Sequence, residues 1–135
     1  MTVSFDDMIA SLTKTIETAY TEGVTADEAE KYAAKFLAAQ LLVSNELTAA
    51  DLDARMRKSG NKAIRARVYM EAKADTTQKL TEAGVQAIID THEIVQKEQD
   101  GLDAAEVRKA ELERYYDIFL NGHIYMRGVA KGSFG

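Results

Sequence analysis

The 135-residue chain has no Cys, Pro or Trp and a formal net charge of −5. Without Cys there is no disulfide framework, thiol nucleophile or Cys-based zinc site, and no apolar run approaches the roughly 20 residues that span a bilayer. The length fits one domain burying about two thirds of its unfolded surface. Abundant Ala, Glu, Lys, Leu and Thr predict an all-α fold, a multi-helix bundle with a long C-terminal helix.

The N-terminus, MTVSFDDMIAS, lacks the basic start and apolar core of a signal peptide, which predicts an intracellular, cytoplasmic protein. Ser4 and Asp7 read as a helix N-cap with an acid in the first turn. Phe5, Met8, Ile9, Leu12, Ile16, Ala19 and Tyr20 recur at helical spacing until Gly23 ends the segment. Thr25 with Glu28 forms a capping box for a second helix with Ala29, Tyr32, Ala33, Phe36, Leu37, Leu41 and Val43 inward. That helix is expected to stop near Ser44-Asn45, and Thr48 with Asp51 to open a third carrying Leu52 and Met56. Residues 1–54 then form an acidic helical head.

Residues 55–79 hold eight bases and two acids, a local charge of +6 between stretches of −7 (residues 1–54) and −6 (residues 80–120). On a helix, Arg55, Lys58, Lys62, Arg65, Tyr69 and Lys73 share one face at spacings of three and four. The stripe is about 27 Å long at 1.5 Å per residue. Met56, Ala63, Ile64, Val68 and Met70 fall opposite, where they could seal a core. A cationic row with a ring set in it suits a polyanion backbone, single-stranded nucleic acid above all. Charge runs are also ordinary solvated surface, or partners for acidic helices of the same or another subunit. Gly60 and Asn61 leave two options open: a continuous helix, or a C-cap followed by a new N-cap.

Asp75-Thr76-Thr77 reads as a loop, and Thr81 as the cap of a helix with Val85, Ile88, Ile89, His92 and Val95 inward, ending about Gly101. Asp103, Glu106 and the pair Leu102/Val107 carry the signals of a final helix start. Residues 80–130 are therefore expected to be a C-terminal helical pair. The C-terminal half of the last helix is apolar nearly all round, which fits either a central core helix or a surface that meets another subunit. On the second option Leu112, Tyr115, Tyr116, Phe119, Tyr125 and Met126 form a homo-oligomer interface. Residues 131–135, ending near Phe134, are expected to be a flexible tail able to add contacts to a polyanion.

Catalytic signals are missing. His92 and His123 lie on different helices without Cys or paired carboxylates at ligand spacing, so no catalytic residue, metal site or cofactor is predicted. No Gly-rich phosphate loop follows a strand, and there is no strand to carry a nucleophile elbow. A non-enzyme is expected.

From the basic segment onward the chain resembles the small recombination mediators of T4-type phages, the UvsY family. The resemblance lies in the order of NKAIRARVYMEAK, KLTEAGVQAII and ELERYYDIFLNGHIYMRG, over about residues 61–130; net acidity departs from the family pattern. It implies a ring-like homo-oligomer joined through C-terminal helices. It also implies single-stranded DNA bound by Lys62, Arg65 and Arg67 with Tyr69 stacking, and the loading of a RecA-like recombinase onto strands coated by a single-strand binding protein. A virion structural or assembly protein and an anti-defence binding module are the rival expectations.

Overall fold

The computed structural model describes residues 4–77 and 79–132. Ser133, Phe134 and Gly135 of the expected tail lie outside the described residues. The fold is all-helical, with α1 (Phe5–Glu22), α2 (Ala26–Ala74), α3 (Glu82–Thr91) and α4 (Glu93–Ala130) in chain order. Several predicted caps form. Ser4 Oγ accepts from the Asp7 amide at 3.1 Å, Thr25 Oγ1 from Glu28 at 3.2 Å, and Thr81 Oγ1 from Gly84 at 3.1 Å. Each satisfies an amide that a helix start would otherwise orphan. Gly23 ends α1 at φ 79°, a left-handed conformation that glycine adopts without a Cβ penalty.

Three expected boundaries are absent. α2 is one helix of 49 residues, passing unbroken through Ser44-Asn45, Thr48 and Gly60. The boundary expected between residues 54 and 55 falls inside it. α4, with 38 residues, runs through Gly101 and Asp103, and the break lies instead at His92, between α3 and α4. The reason is phase. On α2 the apolar positions Ala29, Ala33, Phe36, Val43, Ala54 and Val68, with Gln40 and Asn61, are all buried and fall on one uninterrupted four-three spacing. On α4, Val95, Leu102, Ala105, Leu112, Phe119 and Met126 do the same. A continuous buried seam rewards helix continuation at every turn, and isolated capping residues do not offset it. The Leu102/Val107 staple does not form, since Leu102 is buried and Val107 is exposed.

The chain divides into two compact units, one of residues 1–47 with 111–135 and one of residues 48–110. In the first, Ile9, Leu12 and Ala19 of α1, Phe36 and Val43 of α2, and Leu112, Phe119 and Met126 of α4 are buried. The Phe36 and Phe119 rings stack with centroids 6.2 Å apart. Gly122 sits beside them; a Cβ there would come within 3.2 Å of Ile16 and 3.3 Å of Phe36. The His123 ring pairs through Nδ1 with the Ala33 carbonyl at 2.8 Å, which makes Nδ1 the protonated nitrogen. In the second unit the core is Val68 of α2, Val85 and Ile89 of α3, and Val95 of α4, with Ile64, Tyr69, Ala72, Leu80 and Ile88 packed on it.

Three burial expectations are corrected here. Leu37 and Leu41 are 44% and 62% exposed, because the seam of α2 runs through Ala33, Phe36 and Gln40 rather than one residue later. Met56 and Met70 are also exposed, and only Val68 and Ile64 of that predicted face turn inward. Leu112, Phe119 and Met126, expected between subunits, lie in the core of their own chain at 1%, 0% and 1% exposure. Tyr115, Tyr116 and Tyr125 are half-buried beside them.

Candidate nucleic-acid interface

All the residues of the predicted stripe lie on α2 within the unit of residues 48–110. The continuous helix keeps them in register, so the split envisaged at Gly60 does not occur. The seven candidates nevertheless divide into three groups by what each touches.

Arg65, Tyr69 and Lys73 fasten α3 to α2. The Arg65 guanidinium donates to Asp90 at 3.1 Å and to Asn61 Oδ1 at 3.0 Å. Asn61 is buried and passes the network on, its amide donating to Gln99 Oε1 at 3.2 Å. The Tyr69 hydroxyl donates to Glu82 at 3.1 Å while its ring packs on the valine-isoleucine core. Lys73 pairs with the same carboxylate at 2.7 Å and stands 5.6 Å from the Tyr69 ring centroid. A ring held at its edge by a carboxylate, packed below and overhung by an ammonium is not an open stacking platform. The stacking role expected of Tyr69 is therefore corrected to a structural one.

Arg55 and Arg67 pair along their own helix, with Asp51 at 3.1 Å and Glu71 at 3.7 Å. Their side chains remain 77% and 59% exposed, so these are one-turn surface pairs worth a few tenths of a kcal/mol each. Arg67 also stands off the stripe, because five residues from Lys62 turn a helix by about 140° beyond a full revolution.

Lys58 and Lys62 form the third group. They are exposed, one turn apart, and have no acidic partner among the described residues. Neither lines the hollow of about 300 Å³ at Arg65, whose other walls are Val95, Gln96, Gln99, Asp90 and Asp100. Two carboxylates make that hollow a poor seat for a phosphate.

Electrostatics support this division. The Lys73 ammonium, and then the Tyr69 hydroxyl, hold the Glu82 carboxyl below its usual 4.5, while Glu82 raises Lys73 above 10.5. The Lys109 ammonium lowers Asp51 below 3.8, with Arg55 adding to the effect. Sequence reasoning missed Asn61, Glu82, Asp90 and Lys109 as partners. The unbroken seam phase would have placed Asn61 inward; nothing local marks the other three.

A depressed carboxylate stabilises the fold above its unfolded pKa and loses that contribution as pH falls through its folded value. Stability should therefore be flat near neutrality and decline below about pH 4.5, the ordinary Glu value. Glu82→Gln should be less stable at pH 7 and show a shallower acid decline, read by denaturant titration at a series of pH values. An identical acid limb in that variant would show that the Lys73–Glu82 pair contributes nothing.

Among the described residues no helix is long and apolar enough to cross a membrane, and no group of three His, Asp or Glu is placed to hold a metal ion. The fold and the site thus define an all-helical protein with a partly self-paired cationic helix. No protein-family model matches the chain, and the curated proteins and the solved structures give no match either.

Proposed function

We propose that the protein binds single-stranded DNA without catalysing a reaction on it, and acts as a recombination mediator. The observation that carries the binding is the pair Lys58 and Lys62, exposed on one edge of α2 and free of acidic partners among the described residues. Arg55, at 77% side-chain exposure, lies on the same edge one turn away. Its surface pair with Asp51 is weak enough for a phosphate to compete, since charge-assisted bonds to phosphate are at least as strong. The interface is smaller than the stripe legible in the sequence: Lys58, Lys62 and Arg55, with Arg65, Tyr69 and Lys73 as its scaffold. The mediator role, a homo-oligomer and the loading of a RecA-like recombinase in the presence of a single-strand binding protein rest on the resemblance to the UvsY family.

The test is titration of a fluorescent oligo-dT strand at two or more salt concentrations. Binding should weaken steeply with salt. Lys58→Ala with Lys62→Ala should flatten the slope of log K against log salt by about 1.4, or about 0.7 per lost contact on single strands. No binding by the parent chain at low salt removes nucleic acid from its ligands.

A second reading, an assembly part of a virion, is favoured by one observation. Residues 48–110 hold eleven Lys and Arg against eleven Asp and Glu, so the unit bearing the stripe is neutral as a whole. Its acidic and basic faces suit pairing between copies, and that reading predicts a defined assembly indifferent to oligo-dT.

A further inference from the structure

The hollow at Arg65 is closed to phosphate by its carboxylates, but not to other ligands. It measures about 300 Å³ and is bounded by Arg65 of α2, Asp90 of α3, and Val95, Gln96, Gln99 and Asp100 of α4. All six belong to the unit of residues 48–110. That volume lies at the small end of sites for organic molecules and suits one flat ring better than a larger ligand. Val95, buried at 1% exposure, supplies the apolar part of the lining.

The hydrogen bonds already made decide what the rest of the lining can offer. Arg65 donates through Nε to Asn61 and through Nη1 to Asp90 Oδ1, which leaves further guanidinium N–H groups. Both ends of the Gln99 amide are committed, Oε1 to Asn61 and Nε2 to Asp103 at 2.9 Å. Gln96 Nε2 makes a long bond of 3.4 Å to the Asp90 carbonyl, and its Oε1 has no donor among the described residues. Asp90 has a second carboxylate oxygen, and Asp100 is exposed with no basic partner among the described residues. Acceptors therefore dominate the open lining, with the Arg65 donors at one wall. A ring edge that sets an amino group beside an acceptor matches such a lining. Adenine, cytosine and guanine have that edge. Thymine has no amino group, and its carbonyls would face the two carboxylates.

We infer that the hollow seats an unstacked, amino-bearing base of the single strand whose phosphates lie on Lys58 and Lys62. Asp100 and the second oxygen of Asp90 accept from the amino group, and Arg65 donates to the neighbouring ring acceptor. Lys62 precedes Arg65 by three residues, about 4.5 Å along α2, so phosphate contact and base contact are adjacent on one helix. The inference rests on the DNA reading and adds to it a preference among strands. Phosphate contacts position a strand without reading it, whereas contacts to base edges discriminate. Arg55, Lys58 and Lys62 stay open to the backbone.

The experiment is titration of oligo-dC and oligo-dT strands of equal length with the purified full chain, at neutral pH and two salt concentrations. Oligo-dC should bind about five- to tenfold tighter, the lower part of the range for one well-read base. The ratio should not change with salt, because counterion release is set by the phosphates that both strands share. Gln96→Ala with Asp100→Asn, both at exposed positions, should abolish the preference. Lys58→Ala with Lys62→Ala should weaken both strands and keep the ratio. Equal affinity of the parent for the two strands overturns the inference and leaves the DNA reading standing. A preference that survives in the Gln96 and Asp100 variant overturns it as well. If the parent binds neither strand, the DNA reading and this inference fall together. Free deoxycytidine that competes as well as an oligo-dC strand would mark a nucleoside site and overturn the assignment to a strand.

Discussion

Phe119→Ala is expected to lower the stability of the chain by about 3–5 kcal/mol, the range for emptying a large aromatic site in a packed core. The side chain is 0% exposed. Its ring stacks on Phe36 at 6.2 Å and on Tyr115 at 6.4 Å, and Gly122 of the same helix leaves no room for a compensating side chain at its own position. Ile16 of α1 and Phe36 of α2 both close on α4 at Gly122, three residues on. The fall in Tm should be on the order of 10–20 °C for a chain of this size, read by thermal or urea unfolding. Phe119→Asp should go further and prevent folding, because an unpaired carboxylate would be placed where no donor reaches it. If Phe119 instead formed part of a subunit surface, the Ala variant would lose assembly with little change in unfolding, and sizing beside denaturation tells the two apart.

That contrast shows what was legible in the sequence. An apolar last helix, helix starts at Ser4, Thr25 and Thr81, and a stop at Gly23 all read correctly, because a cap is a local interaction between neighbouring residues. The excess apolar surface of the last helix suggested a subunit contact for Leu112, Phe119 and Met126. In the structure it is matched by apolar faces of two other helices of the same unit, and only long-range pairing could have shown that. The breaks expected at Ser44-Asn45 and Gly101 failed for the opposite reason, and the choice left open at Gly60 resolves to a continuous helix. They weighed single residues with turn chemistry and overlooked the seam phase, which holds from Ala29 to Val68 and from Val95 to Met126.

The cationic stripe was legible as a pattern but not as a surface. Spacing put Arg65, Tyr69 and Lys73 on one face correctly; it could not show that α3 brings Asp90 and Glu82 against that face. What spacing cannot give is the partner, and three of seven candidates changed role on that account. Asn61 illustrates the converse. A polar residue in the seam looked like a cap, yet it is buried and bridges Arg65 to Gln99. The stripe is consequently both scaffold and candidate interface, and Lys58 and Lys62, without an acidic partner among the described residues, are the residues on which the DNA proposal stands.

Lys62→Pro should separate the two descriptions of this segment more sharply than any other change. If Asn61 were the N-cap of a new helix, Lys62 would be its first residue, where proline is favoured and an amide is not needed. In the continuous helix that the structure shows, residue 62 lies in the interior of α2. Proline there removes the amide bond to the Lys58 carbonyl and drives its ring into that same carbonyl, at a cost of about 3 kcal/mol or more. The variant is expected to lose helix content and to unfold well below the parent. Gly60→Ala is the matching control. A Cβ at residue 60 would meet only Glu98 Oε2, at 4.0 Å, and an interior glycine costs about 0.5–1 kcal/mol relative to alanine. That variant should gain stability by about that amount, whereas a C-cap glycine in a left-handed conformation would make it lose stability. A stable Lys62→Pro variant together with a weakened Gly60→Ala variant would mean that α2 ends at Gly60, and the alignment of Arg55 and Lys58 with Lys62 would go with it.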